Sequence, residues 1–385
     1  MFMDIVKKRN PKLIQEAITL HQSEEILPDT YVLDLDIIRE NAKKLIETAK
    51  QNNIELFFML KQIGRNPAIA KMLVELGIRN AVVVDFREAR IMMENDIPLG
   101  NVGHLVQIPQ MLLKEIMTYG SKYLTVYSLE KLQAIDALAK EIGIKQKVLL
   151  RVVSEDDELY PGQYGGFMLE ELPSLISLFN ELKYIEISGL TSFPCFLYDA
   201  EKETLEPTHN VKTVKAAKKL FEKAGLCIQE LNMPSATSVY TLPFIKKIGG
   251  TQGEPGHALT GTTPMHAEKE LAEKPAMVYI SEVSHNFKGK GYLYGGGFYR
   301  RGHLNNVLID NYGKQTEAHI NVLSDENIDY YLEVDEKEPV GATAIMAFRT
   351  QIFVTRSEVA LVSGIQDGKP KIEGIYDSQG NYLRG

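Results

Sequence analysis

The chain has 385 residues, 44% hydrophobic and 24% charged, with 51 acidic side chains against 43 basic ones and a net charge of −8. That length favours two domains, and that charge, with no local run of lysine and arginine to offset it, argues against a nucleic-acid partner. Only Cys195 and Cys227 occur, charges crowd residues 1–10 and no apolar stretch reaches membrane-spanning length, so no disulfide framework, signal peptide or membrane contact is expected and a cytoplasmic, soluble protein is.

Residues 1–30 read as a polar, helix-containing arm ending at Leu27-Pro28-Asp29-Thr30. Tyr31–Asp36 follows as a short alternating strand, and 37–51 as a charged helix. Glu55–Leu60 reads as a buried strand, since a short run of bulky apolar residues suits a strand covered on both faces. The run ends on Lys61; Gly64 supplies a turn, and Asn66-Pro67 opens a helix with a capping side chain and a first-turn proline. Further strands begin near 80, 101, 123, 147, 184, 227 and 251. Between them lie amphipathic helices such as Leu129–Ile142 and Val211–Ala224, the latter closed by Gly225. Eight βα units close a parallel barrel, so residues 31–270 are assigned to an α/β fold, a (β/α)8 TIM-type barrel. An open doubly wound sheet would need an early phosphate-binding glycine fingerprint, which the chain lacks.

After about residue 270 the pattern changes to short strands separated by Gly, Asn and Asp: Val278–Val283, Leu293–Tyr299, Val307–Ile309, Ile320–Leu323 and Ala344–Val354. Residues 271–385 are thus a smaller all-β domain, which strand 31–36 alternatively joins.

The chemically interesting stretches of the first domain all fall at strand ends, and in a barrel these share one face. They are Lys61 with Arg65, Tyr160-Pro161-Gly162-Gln163, Gly189–Pro194, Asn232–Ser238 and Gly253-Glu254-Pro255-Gly256-His257. A lysine leaving an apolar strand is either a snorkelling surface side chain or a desolvated amine fit for imine chemistry. The turn at Ser235, Thr237 and Ser238 and the Gly256-His257 pair combine small residues with backbone N–H groups, which suits a phosphate as well as ordinary turn chemistry. The eight histidines show no ligand spacing, so no metal site is expected.

Lys61, the Asn232-Met233-Pro234-Ser235-Ala236 turn and Pro255-Gly256 before the second domain resemble the pyridoxal-phosphate proteins of the alanine racemase type (fold type III), over about residues 30–385. The resemblance is stronger to an uncharacterised bacterial branch of alanine-racemase-like amino-acid racemases. The segments that carry it are Tyr160–Gln163, Pro234–Ser238, Glu254–Gly261 and Phe348–Arg356.

That resemblance implies pyridoxal 5′-phosphate as cofactor, an amino acid as substrate and a head-to-tail homodimer. Lys61 would carry the cofactor as an imine. Arg65 stands where alanine racemases place a phosphate-contacting tyrosine, and Ser235, Thr237, Ser238, Gly256, His257 and Tyr376 would hold the same phosphate. Tyr294, in Lys290–Tyr299, matches the catalytic tyrosine that reaches the partner subunit's site, opposite Lys61 across the α-carbon. Gln163 and Arg349 fall near the substrate carboxylate. Three departures from alanine racemases stand out. Glu254 replaces an arginine beside the ring nitrogen, as in the decarboxylases of the fold type; Gln163 replaces an arginine and Ser192 a histidine. The implied activity is an isomerase, an amino-acid racemase working by two-base proton transfer. A decarboxylase on the same scaffold and a non-catalytic cofactor carrier are the alternatives.

Overall fold

The computed structural model describes residues 2–385, none of whose helices is long and apolar enough to cross a membrane. Contacts divide the described residues into two compact units: one comprises residues 43–59 and 67–256, the other residues up to Ala42, 60–66 and 257–385.

The first unit is the barrel. Its strands are Glu55–Phe58, Asn80–Val83, Leu99–Val102, Ser121–Val126, Gln146–Val153, Ile185–Thr191, Glu230–Asn232 and Gln252–Gly253. Each pairs in parallel with the next, and the eighth returns to the first through Gln252 opposite Glu55 and Gly253 opposite Leu56. Closure leaves no edge and covers both faces, so Leu56, Phe57 and Phe58 are all buried. A β-carbon on Gly100 would lie 2.3 Å from the Phe57 ring, so the large side chain of one strand is accommodated by the absence of one on another.

Helices follow each of the first seven strands, and two of them, Phe86–Glu94 and Leu129–Ile142, start on capping side chains. Asp85 accepts from the N–H of Glu88 at 2.9 Å while Glu88 accepts from the N–H of Val84 at 2.8 Å, a reciprocal cap. Helix Leu129–Ile142 has the bounds expected from sequence, with Ser128 as N-cap and left-handed Gly143 as C-cap. An antiparallel hairpin, Phe196–Asp199 with Thr204–Pro207, is inserted after the sixth barrel strand.

The second unit is all-β apart from its two N-terminal helices, the first part of helix Leu35–Gln51 and short 3₁₀ turns. Its sheet runs Lys314–His319, Asn306–Asn311, Thr343–Met346, Met277–Phe287, Thr30–Asp34, Glu358–Ser363, Lys371–Asp377, Tyr382–Arg384, with Lys290–Tyr294 and Tyr331–Val334 branching from Met277–Phe287. Thr30–Asp34 is a central strand, parallel to Glu358–Ser363 and antiparallel to Met277–Phe287. All five of its residues are buried, because both faces are covered. Helix Pro11–Gln22 lays Leu13, Ile14, Ala17 and Ile18 on a core that includes Val278, Ile280, Ile345, Ala360 and Ile375. Each large apolar side chain buried there contributes about 1.5–3 kcal/mol.

Three strands expected from sequence are corrected, the first being Leu293–Tyr299, whose ladder stops at Tyr294. Ala344–Val354 is not one strand: the ladder ends at Met346, and Ile352–Val354 is a 3₁₀ turn. Ile320–Leu323 is reduced to a single bridge from Ile320 to Val334. The intervening Arg349-Thr350-Gln351 backbone leaves the ladder for other partners.

Candidate active site

In the barrel unit, polar side chains at the carboxyl ends of the strands converge on Glu254, which is 6% exposed. Asn232 Nδ2 donates to its Oε1 at 2.8 Å, and Asn101 Nδ2 lies 3.4 Å from the same oxygen. Hydroxyls orient both amides: Thr191 donates to Asn232 Oδ1 at 2.8 Å and Thr125 to Asn101 Oδ1 at 2.7 Å. Each carbonyl end is thus taken by a hydroxyl, and each NH₂ end is turned toward the carboxylate. The Glu254 N–H donates to Thr237 Oγ1 at 3.0 Å, tying this strand end to the 235–238 turn.

That turn carries two consecutive left-handed residues that are not glycine, Ser235 (φ 137°) and Ala236 (φ 48°). Such backbone costs on the order of 1–3 kcal/mol per residue and clusters at ligand sites. Its hydroxyls have local partners. Ser235 Oγ donates to the Phe196 carbonyl at 2.7 Å and accepts from its N–H at 2.9 Å; Ser238 N–H donates to Thr241 Oγ1 at 2.8 Å. Thr237 and Ser238 are almost fully buried.

Beside this cluster, Arg151 is 1% exposed, donates to Tyr127 Oη at 2.8 Å and to the Gln163 carbonyl at 2.9 Å, and lies 4.9 Å from the Tyr127 ring centre. The Tyr160–Gln163 turn is therefore fixed by a buried cation, through the Gln163 backbone. Ser192 is buried and accepts from Asn210 Nδ2 at 3.0 Å.

In the β unit, Lys61 opens a single 3₁₀ turn, Lys61–Ile63, and the chain then passes through two left-handed residues, Gly64 (φ 75°) and Arg65 (φ 53°). Arg65 is 2% exposed; its guanidinium donates to Gln379 Oε1 at 2.7 Å and sits 4.7 Å from the Phe353 ring centre. His257 brings Lys61 and Arg349 into one neighbourhood. Its Nε2 lies 3.1 Å from the Thr350 carbonyl, which makes that nitrogen the donor, and Gln62 Nε2 lies 3.5 Å from Nδ1. Burial first, then the Arg349 and Lys61 cations, hold its pKa well below the usual 6.5, so the ring is neutral.

Tyr294 ends strand Lys290–Tyr294 with 38% of its surface exposed, its ring 6.0 Å from that of Tyr331. The glycines after it meet buried side chains at close quarters: a β-carbon on Gly296 would lie 2.1 Å from Asp29, and one on Gly297 2.2 Å from Tyr279. Gly297 donates to Tyr279 Oη at 3.3 Å and its carbonyl accepts from Tyr31. Tyr376 lies in strand Lys371–Asp377 with its ring against Tyr382. Within the β unit, then, Lys61, His257 and Arg349 are grouped, while Arg65 is held by Gln379 and Phe353; within the barrel unit, Glu254 and Ser235–Ser238 are grouped.

Sequence reasoning passed over Asn101, His104, Tyr127 and Arg151. A signal for two of them is readable: Asn101 and Arg151 each interrupt an otherwise apolar parallel strand, where a polar side chain needs a polar interior to face. Among the described residues no group of His, Cys, Asp and Glu could hold a metal ion.

Two family models match the chain: "Alanine racemase, N-terminal domain" over residues 33–264 and "YhfX-like, C-terminal domain" over residues 278–372. "Uncharacterized protein YhfX" of Escherichia coli (strain K12) is 45% identical over 385 residues, the whole of both chains. Alanine racemase of Clostridium difficile 630, solved in complex with cycloserine, superposes with a TM-score of 0.66 at 19% identity over 91% of this chain and 99% of that one. Diaminopimelate decarboxylase from M. jannaschi does so with a TM-score of 0.65 at 14% identity over 95% of this chain and 92% of that one. At such identities these two structures establish the fold alone. The chain belongs to the alanine-racemase-like fold type III family, whose members use pyridoxal phosphate, and within it to the YhfX-like branch.

Proposed function

We propose that the chain is a pyridoxal-phosphate-dependent amino-acid racemase. The observation that carries the cofactor chemistry, without choosing between racemisation and decarboxylation, is the buried Glu254 carboxylate with its amide donors on one oxygen; the exposed Tyr294 is what speaks for racemisation. The cofactor fits what this chain offers: a buried carboxylate that accepts from amides suits a protonated ring nitrogen, and a strained turn of small residues suits a phosphate. When bound, pyridoxal phosphate supplies an electron sink that acidifies the Cα–H of an attached amino acid.

The remaining work falls to side chains. Lys61 Nζ would hold the cofactor and would carry a proton on one face of the α-carbon. Tyr294 of the partner subunit carries a proton at its phenol oxygen on the other face, in a head-to-tail homodimer; the exposure of Tyr294 supports that role. Arg349 binds the substrate carboxylate, Gln163 is assigned a substrate-binding role of its own, and the neutral His257 leaves the charge of Lys61 and Arg349 to act on that anion. Arg65, Ser235, Thr237, Ser238, Gly256, His257 and Tyr376 serve the phosphate.

Glu254 favours a second reading, an amino-acid decarboxylase, because a strong electron sink serves both reactions. Incubating the cofactor-loaded protein with single L- and D-amino acids in D₂O separates them. Racemisation yields the opposite hand carrying deuterium at Cα. Amine and carbon dioxide without inversion would make the decarboxylase the better account.

A further inference from the structure

The barrel mouth holds a buried histidine that the chemistry above leaves unused. His104, two residues beyond strand Leu99–Val102, is 2% exposed, and its Nε2 lies 3.5 Å from Glu254 Oε2. The placement is built from several sides. The imidazole stands edge-on to Phe193, with ring centres 5.7 Å apart, and Phe193 packs on Tyr160 at 5.6 Å. The His104 carbonyl accepts from Tyr127 Oη at 2.5 Å, and Tyr127 is itself bound by buried Arg151 at 2.8 Å. The two oxygens of Glu254 are therefore differently served: Oε1 has the amides of Asn232 and Asn101, and Oε2 faces an imidazole.

We propose that His104 is a positioning residue for Glu254, donating from Nε2 to Oε2 so that the carboxylate stays ionised and aimed at the cofactor's ring nitrogen. The inference rests on the cofactor reading above and deepens it. A proton between a carboxylate and a pyridine nitrogen sits on whichever is made the better base, and donors to the carboxylate favour its charged form. A third donor on Glu254 thus holds the pair as carboxylate and protonated ring. At 3.5 Å the contact is at the outer limit of a hydrogen bond, and such contacts shorten when a ligand fills the site.

The test loads the full-length protein with cofactor carrying ¹⁵N in its ring and reads that nitrogen by NMR. Wild type is expected at the protonated position, His104→Phe shifted toward the unprotonated one, and His104→Gln, which keeps a donor, back near wild type. In wild-type protein with ¹⁵N-labelled histidine, the His104 Nε2 resonance is expected to move on loading, a measurement that needs no variant. A protonated ring in His104→Phe, or a His104 resonance indifferent to the cofactor, overturns the proposal while the cofactor reading stands. Failure of wild type to bind the cofactor overturns both.

Discussion

Asn232 donates to Glu254 across 2.8 Å because Thr191 occupies the other end of its amide. An asparagine can hold a carboxylate only with its NH₂ forward, and a third strand of the barrel decides that orientation. Replacing Asn232 with Ala leaves a buried carboxylate short of a donor, at a cost of about 1–3 kcal/mol in urea unfolding. Asn232→Asp should do worse, since two carboxylates cannot both stay ionised at that distance. Cofactor affinity, followed by fluorescence titration, should fall in the same order. Equal affinity in all three proteins would remove Asn232 from the site.

Asp29 accepts from Tyr279 at 2.8 Å and also from Ser357, behind the glycine turn that follows Tyr294. Burial pushes its pKa up from 3.8 to about 6, against the hydrogen bonds of Ser357 and Tyr279 and the charge of Arg356, with Glu358 adding to the rise. A carboxyl that binds its proton more tightly when folded stabilises the fold in acid and loses that contribution as pH climbs from about 4 to about 6. The loss is up to about 3 kcal/mol. Asp29→Asn should therefore be insensitive over this interval where wild type weakens, as measured by urea midpoints at successive pH values. A variant with the wild-type slope would contradict the assignment.

His257 has the opposite sign. Its folded pKa lies well below 6.5, so the unfolded chain takes up a proton that the folded one refuses. Stability is lost as pH falls below about 6.5. His257→Gln keeps a donor for the Thr350 carbonyl and should flatten this acid limb. Because the Asp29 and His257 windows overlap, the difference between each variant and wild type is the quantity to compare. An unchanged acid limb in His257→Gln would show that the ring is already charged in the fold.

Shared sites have a direct signature. Lys61→Ala and Tyr294→Phe proteins should each be nearly inactive, whereas equal mixing with subunit exchange should restore about a quarter of wild-type activity. Half the dimers are then mixed, and each has one complete site. No recovery despite proven exchange would place both residues in one subunit's site.

The barrel was legible because a parallel sheet buries both faces of its strands, so Leu56–Leu60 and Ala81–Val84 appear as unbroken apolar runs and Val148–Val153 as one broken only by Arg151. Helix Leu129–Ile142 was legible to the residue because Ser128 and Gly143 punctuate it. The β unit was harder. Ala344–Val354 looks like one strand, but Thr350 turns its hydroxyl to Tyr31 and its carbonyl to His257, contacts more than ninety residues away that local pattern cannot encode. The helix at Pro11–Gln22 shows its apolar stripe, yet the sheet it covers is assembled mostly from strands beyond residue 276. Within the site, residue types at strand ends pointed to Lys61 and Glu254. Which strand ends meet is set by barrel stagger, and so the convergence of Asn101, His104 and Asn232 on Glu254 was not readable.

The central claim is that the Lys61 amine is the covalent seat of the cofactor. Borohydride reduction of protein loaded with pyridoxal phosphate, followed by proteolysis and mass mapping, should leave the cofactor's mass on Lys61 and nowhere else. A tag on another lysine, or protein that takes up no tag at all, would contradict the account.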